Sequence, residues 1–229
     1  MIFVIILWSI EGLTSLTGIR AYWLGIIPRS ISGFPGIFFS PFIHGSFDHL
    51  LSNSLPLLVV GCGLFYFYNE IALRVIGMIW LFTGFWVWLA ARKEYHIGAS
   101  GLIYGLVCFL FLSGLLRKYA RLLSVSLLVT FLYGSLVWGI LPVDQSISWE
   151  SHLFGSVAGF FCAIYFRDLG PQRIKAQWEI EEEMENSSGP DLNIESTEFP
   201  QTDITINYSY KPKTLDDKAD GGDLNEKNS

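Results

Sequence analysis

From about residue 47 to 167 the chain repeats one pattern: a long apolar run, a few charged or turn-forming residues, then another run. The runs fall at about 47–68, 71–91, 99–116, 119–140 and 151–167, and roughly 20 apolar residues are needed to cross about 30 Å of hydrocarbon. A weaker sixth run, MIFVIILWSIEGLTSL, opens the chain and carries Glu11. It has no basic segment ahead of it, so it reads as a truncated or slanted span and not as a cleaved leader. Nothing alternates polar with apolar as a barrel strand must, and backbone in hydrocarbon has to satisfy its own hydrogen bonds, so the spans are expected to be helices. Composition agrees: 51% of the 229 residues are hydrophobic and only 16% are charged, too apolar for an ordinary soluble domain. The expectation is an all-α polytopic membrane protein with six transmembrane helices, five being the fallback.

The formal charge of -6 belongs to one end of the chain. Residues 168–229 hold 15 of the 21 acidic residues and the first 167 hold six. Three regions follow: a six-helix membrane domain over 1–167, a juxtamembrane helix extension over 168–185, and an acidic tail over 186–229. The tail has too few apolar residues to offset the entropy of ordering and is expected to be disordered. Six crossings put both termini on one side. Arg74, Arg117, Lys118, Arg121, Arg167, Arg173 and Lys175 fall on that side, against Arg20, Arg29, Arg92 and Lys93 on the other, so the positive-inside bias makes the termini cytoplasmic. Cys62, Cys108 and Cys162 sit in separate apolar runs without metal or redox spacing and read as small buried hydrophobes. No metal, cofactor or nucleic-acid partner is implied.

Polar residues inside spans are costly and invite a functional reading. FIHGSFDHLLSNSLPLL brings His44, His49 and Asn53 to the start of the second span, GASGLIYG brings Ser100 to the start of the fourth, and WESHLFGSVAG brings His152 to the start of the sixth. Alternate helices of an up-and-down bundle run the same way, so these three starts converge on the face opposite the tail. A serine hydroxyl needs a base to become a nucleophile, and an imidazole titrating near neutrality is suited to that work. The start of a helix offers unpaired N–H groups for a developing oxyanion. His49 and Asn53, four apart, share a helix face and are able to donate to the same oxyanion. Gly98 and Gly101 allow tight backbone around the serine, and the pairs Gly101/Gly105 and Gly155/Gly159 let two helices approach closely.

These residues resemble the rhomboid intramembrane serine proteases. The matches are Gly98-Ala99-Ser100-Gly101 with Gly105, His152 with Gly155 and Gly159, and His44 with His49 and Asn53; the likeness covers roughly residues 20–167 and is to the compact bacterial type. It implies a Ser100 nucleophile, His152 as general base and acid, and an oxyanion hole of His49, Asn53 and the Ser100 N–H. Tyr104 would pack on the imidazole, and His44 would lie in a polar cavity holding water. Expected substrates are transmembrane segments of mostly single-span proteins in the lipid bilayer, and the expected location is a bacterial inner membrane. One departure concerns the first loop, where Trp23 and Arg29 stand apart in place of a Trp-Arg pair. His96 is read as interfacial, Glu150 as a residue of the first helical turn and not a third catalytic member, and Pro56 as a kink. The alternatives are a non-catalytic rhomboid-like protein that binds or escorts membrane clients, which would typically lack Ser100 or His152, and a small transporter, for which charged mid-span residues and inverted repeats are expected.

Overall fold

The computed structural model describes residues 2–19, 21–132, 138–171 and 177–187. Arg20, Arg173, Lys175 and residues 188–229, nearly all of the acidic tail, lie outside the described residues. The chain divides into two units, Met1–Lys175 and Ala176–Ser229. In the first, helices α1 (Ile2–Thr17), α3 (Phe47–Tyr68), α4 (Ala72–Ala90), α5 (Ser100–Leu116), α6 (Ala120–Leu132) and α7 (Trp149–Tyr165) occupy the six apolar runs, and α2 is a single turn over Gly36–Phe39. In the second, Gln177–Ser187 forms α8.

By length and composition, α3 with 22 residues and α4 with 19 are able to cross a membrane, while α1, α5 and α6 are shorter apolar helices. At about 1.5 Å per residue the two long helices match the hydrocarbon thickness. α3 begins where Ser46, with extended backbone, accepts the His49 N–H on its Oγ at 3.1 Å, the usual N-cap bond. Inside it Pro56 is buried, and its missing N–H leaves the Ser52 carbonyl without its helical donor. α7 ends at Tyr165, and the chain turns through 166–170, with Gly170 at φ +110. The region expected as a helix extension therefore contains a turn as well as α8.

α5 is apolar all round and buried along most of its length. It packs most extensively against α7, and also against α6, α3 and α4; α4 in turn packs on α7, and α1 on α3. The core between them includes Leu50, Leu64, Ile79, Leu106, Phe109 and Ala158. Large apolar side chains such as Leu51, Phe65, Leu81, Phe85, Phe131 and Phe160 point outward and are exposed, whereas Asn53, Glu150 and His152 are buried. A greasy exterior with polar and charged side chains kept inside is the arrangement that lipid, not water, rewards. Of the cysteines, Cys162 is buried as expected, but Cys62 is exposed on the outer face of α3.

The long connection between α1 and α3 folds as short 3-10 turns around α2. Tryptophans of α4 fasten it: Trp80 Nε1 donates to the Ile37 carbonyl at 3.0 Å and Trp88 Nε1 to the Ser30 carbonyl at 2.9 Å. The residues expected to depart from a Trp-Arg pair act separately here. Trp23 is exposed, while Arg29, at φ 56, donates its N–H to the Trp88 carbonyl at 2.8 Å. Ile26 and His96 exchange both backbone hydrogen bonds, at 3.0 and 2.9 Å, which ties this connection to the segment leading into α5.

Candidate active site

Glycine makes the site possible by letting α5 and α7 touch backbone to backbone. A Cβ on Gly155 would lie 2.0 Å from the Gly101 carbonyl oxygen, and one on Gly159 would lie 2.1 Å from that of Gly105. Real side chains never approach so closely, so only glycine fits. This contact brings the start of α5 beside the first turns of α7. His152 Nε2 lies 2.8 Å from Ser100 Oγ. The other ring nitrogen, Nδ1, lies 2.8 Å from the Gly139 carbonyl. A carbonyl only accepts, so Nδ1 carries the proton; Nε2 is then the lone pair that accepts from the serine hydroxyl. Tyr104, one turn along α5, stacks flat on the imidazole, with centroids 4.1 Å apart and planes 6° from parallel.

His49 shows the opposite tautomer. Gly45 N–H approaches its Nδ1 at 3.5 Å, which makes Nδ1 the acceptor and leaves the proton on Nε2. That edge of the ring faces Gly98. The glycine has φ +102, and a Cβ there would sit 2.8 Å from both Cε1 and Nε2 of His49, so both its backbone geometry and the imidazole against it require glycine. Asn53 Nδ2 would lie 3.7 Å from the same point, and it is buried with no hydrogen-bond partner among the described residues. Two donors thus face the backbone just ahead of Ser100, and a buried donor without an acceptor is uncommon enough to need an explanation. His44 is 3% exposed and stands edge-on to His49, centroids 5.0 Å apart.

Ser100, His152, His49, Asn53 and Tyr104 line one cavity of about 640 Å³, together with residues of the connection that enters α7. His44, expected within the polar cavity, and the glycines Gly98, Gly101, Gly105, Gly155 and Gly159 are not among its lining residues; His44 packs against His49, which is. The structure therefore brings the starts of α3, α5 and α7, drawn from three separate stretches of sequence, to one cavity. His96, read from the sequence as an interfacial loop residue, is buried within the protein at 1% exposed, with Nδ1 2.5 Å from Ser148 Oγ and Nε2 3.0 Å from the Arg92 carbonyl. Burial lowers its pKa. Its partners are up to 52 positions away, so local spacing carries no signal for them. Glu150 is buried, but its Oε1 faces Arg92 Nε at 3.6 Å, with no described hydrogen bond to His152.

Fold and site together define a class: an all-helical, apolar protein whose interior holds a hydrogen-bonded serine and histidine between two glycine-packed helices. The profile of the Rhomboid domain matches residues 32–169, and the chain belongs to the rhomboid family, whose members are generally intramembrane proteases. The chain is 35% identical over 175 residues to the uncharacterized protein Rv1337 of Mycobacterium tuberculosis, a match covering 70% of this chain and 71% of that one. It is equally similar to the uncharacterized protein Mb1372 of Mycobacterium bovis, and 34% identical over 142 residues to the uncharacterized protein ML1171 of Mycobacterium leprae, covering 56% and 54% of the two chains. Family membership and apolar helices together mark an integral membrane protein.

Proposed function

We propose that this chain is a serine endopeptidase that cleaves transmembrane segments of other membrane proteins, with Ser100 and His152 as its dyad. The observation that carries this reading is the 2.8 Å contact between Ser100 Oγ and His152 Nε2, with the imidazole held in the accepting tautomer by Gly139. Ser100 Oγ attacks the scissile carbonyl as its proton passes to His152 Nε2. The resulting oxyanion receives hydrogen bonds from His49 Nε2, Asn53 Nδ2 and the Ser100 N–H. His152 then gives its proton to the leaving amine, which departs with the acyl–serine ester left behind. Water, deprotonated by the same imidazole, hydrolyses that ester and restores the serine. The imidazole is oriented by a backbone carbonyl, so no carboxylate is needed. Six crossings, cytoplasmic termini and a site opening to the opposite face of a bacterial inner membrane complete the proposal.

The test is reaction of the detergent-solubilised protein with a fluorophosphonate probe, in which the serine oxygen displaces fluoride from phosphorus. Wild type should label, whereas Ser100→Ala and His152→Ala should not, with helix content unchanged in both. A folded wild type that resists several probe shapes would instead support a non-catalytic client-binding role. Losing one oxyanion donor typically costs about a hundred- to a thousandfold in rate. His49→Ala and Asn53→Ala should each lower cleavage of a single-span substrate by that order, and an effect below about threefold from the double variant would remove them from the site.

A further inference from the structure

The connection entering α7 supplies Asp144, Ser146, Ile147 and Ser148 to the wall of the cavity. Residues 141–146 are exposed, and the loop's internal bonds are local, with Asp144 Oδ1 accepting from Ser146 N at 2.8 Å and Ser146 Oγ at 2.6 Å. What holds residues 144–148 to the neighbouring loop, among the described residues, is Arg92 and His96. The Arg92 guanidinium donates to Gln145 Oε1 at 2.8 Å, to the Gln145 carbonyl at 2.9 Å and to the Ile147 carbonyl at 2.7 Å. Its Nε faces buried Glu150 at 3.6 Å. A second tie runs beside it. A carbonyl must accept, so His96 Nε2–H donates to the Arg92 carbonyl; Nδ1 therefore accepts from the Ser148 hydroxyl, which in turn lies 2.6 Å from Ser151 Oγ. Ser151 abuts Gly101, whose added Cβ would sit 3.0 Å from the Ser151 carbonyl.

We propose that Arg92 is a positioning residue that holds residues 144–148 down over the Ser100 cavity and so sets how readily a polypeptide reaches the serine. Two of its three loop acceptors are backbone carbonyls and the third is Gln145 Oε1, so the grip depends mainly on a forked cation. A planar guanidinium serves several acceptors at once in a way an ammonium does not. Glu150, at the first turn of the helix that carries His152, faces the Nε side of the same guanidinium. A small reagent slips past the loop, whereas an extended peptide has to lift it. The physiological meaning of this latch rests on the protease reading, but the latch itself is testable without it.

The experiment uses the full-length protein in detergent with Arg92→Gln and Arg92→Lys. Hydrogen exchange at amides 143–147 should accelerate at least tenfold in Arg92→Gln and by less in Arg92→Lys, with α4 and α5 unchanged. Access is read in a Ser100→Cys background from the rates of reaction with a small methanethiosulfonate and a large polyethylene-glycol maleimide, with labelling of the same variants bearing Ser100 subtracted. The large-to-small ratio should rise threefold or more in Arg92→Gln. An exchange rate within twofold of wild type, or faster exchange with an unchanged ratio, overturns the proposal. If Arg92→Gln does not fold, Arg92→Lys is judged by the same two readouts. Neither requires a reactive serine, so the latch stands or falls separately from the failure of fluorophosphonate labelling.

Discussion

The two imidazoles nearest Ser100 are each held in one tautomer by a backbone neighbour. His152 and His49 carry their protons on opposite nitrogens because one faces a carbonyl and the other an N–H, as the proposed acceptor and donor roles require. His44, ahead of α3, has its pKa lowered from 6.5 to about 4, chiefly by burial and secondarily by the charge of His49, and burial lowers His96 in the same sense. The native protein therefore refuses a proton that the unfolded chain takes up below pH 6.5. This stabilisation is complete above that pH and is lost as pH falls through the window down to about 4. Thermal unfolding at pH 7.5 and 4.5 should show a smaller acid loss in His44→Asn than in wild type; equal losses would assign the acid sensitivity elsewhere. The residues of GASG, His152 and HGSFDHLLSN were legible because each motif is short and contiguous. Arg92 and His96 were not, because the side chain of each reaches residues of the 145–148 loop more than 50 positions away and nothing periodic announces such a contact.

Elements were more legible than contacts. Residues 47–68 were expected as a span and form α3 over Phe47–Tyr68, because a capping serine and a turn bracket a predominantly apolar run whose polar residues cluster in its first turns. The connection between α1 and α3 was not legible, since its 3-10 turns follow from tryptophans of a helix that comes later in the chain. The glycine pairs of α5 and α7 suggested close approach, and the carbonyl contacts give the reason any side chain fails there. Gly155→Val should destabilise the protein by about 1–3 kcal/mol as an overpacked core does, and should lower probe labelling more than tenfold by moving His152 from Ser100. By contrast, a Cβ on Gly61 or Gly77 meets nothing within 4 Å, and Ala at either helical position should raise stability by about 0.5–1 kcal/mol. Melting temperatures of the three variants check both statements; destabilisation by Gly77→Ala comparable to that by Gly155→Val would refute the contact argument.

At the scale of the molecule, every residue proposed for the chemistry lies between 44 and 152, within the unit Met1–Lys175. Removing residues 188–229 should therefore leave fluorophosphonate labelling within twofold of wild type, and a larger loss would give those residues a part in the site's function. Where α7 ends, Arg117 collects the carbonyls of Phe166, at 2.8 Å, of Arg167, at 2.6 Å, and of Leu169, while also meeting the Tyr68 hydroxyl. A helix terminus gathered by one cation and moored to α3 behaves mechanically as a strain relief. Tension applied along the carboxyl-terminal segment, whether from a bound partner or a pulling handle, loads α3 and α5 in shear before it can unwind the helix carrying His152. Force spectroscopy from that end should find a first rupture that weakens in Arg117→Ala, with the catalytic end of α7 yielding only afterwards.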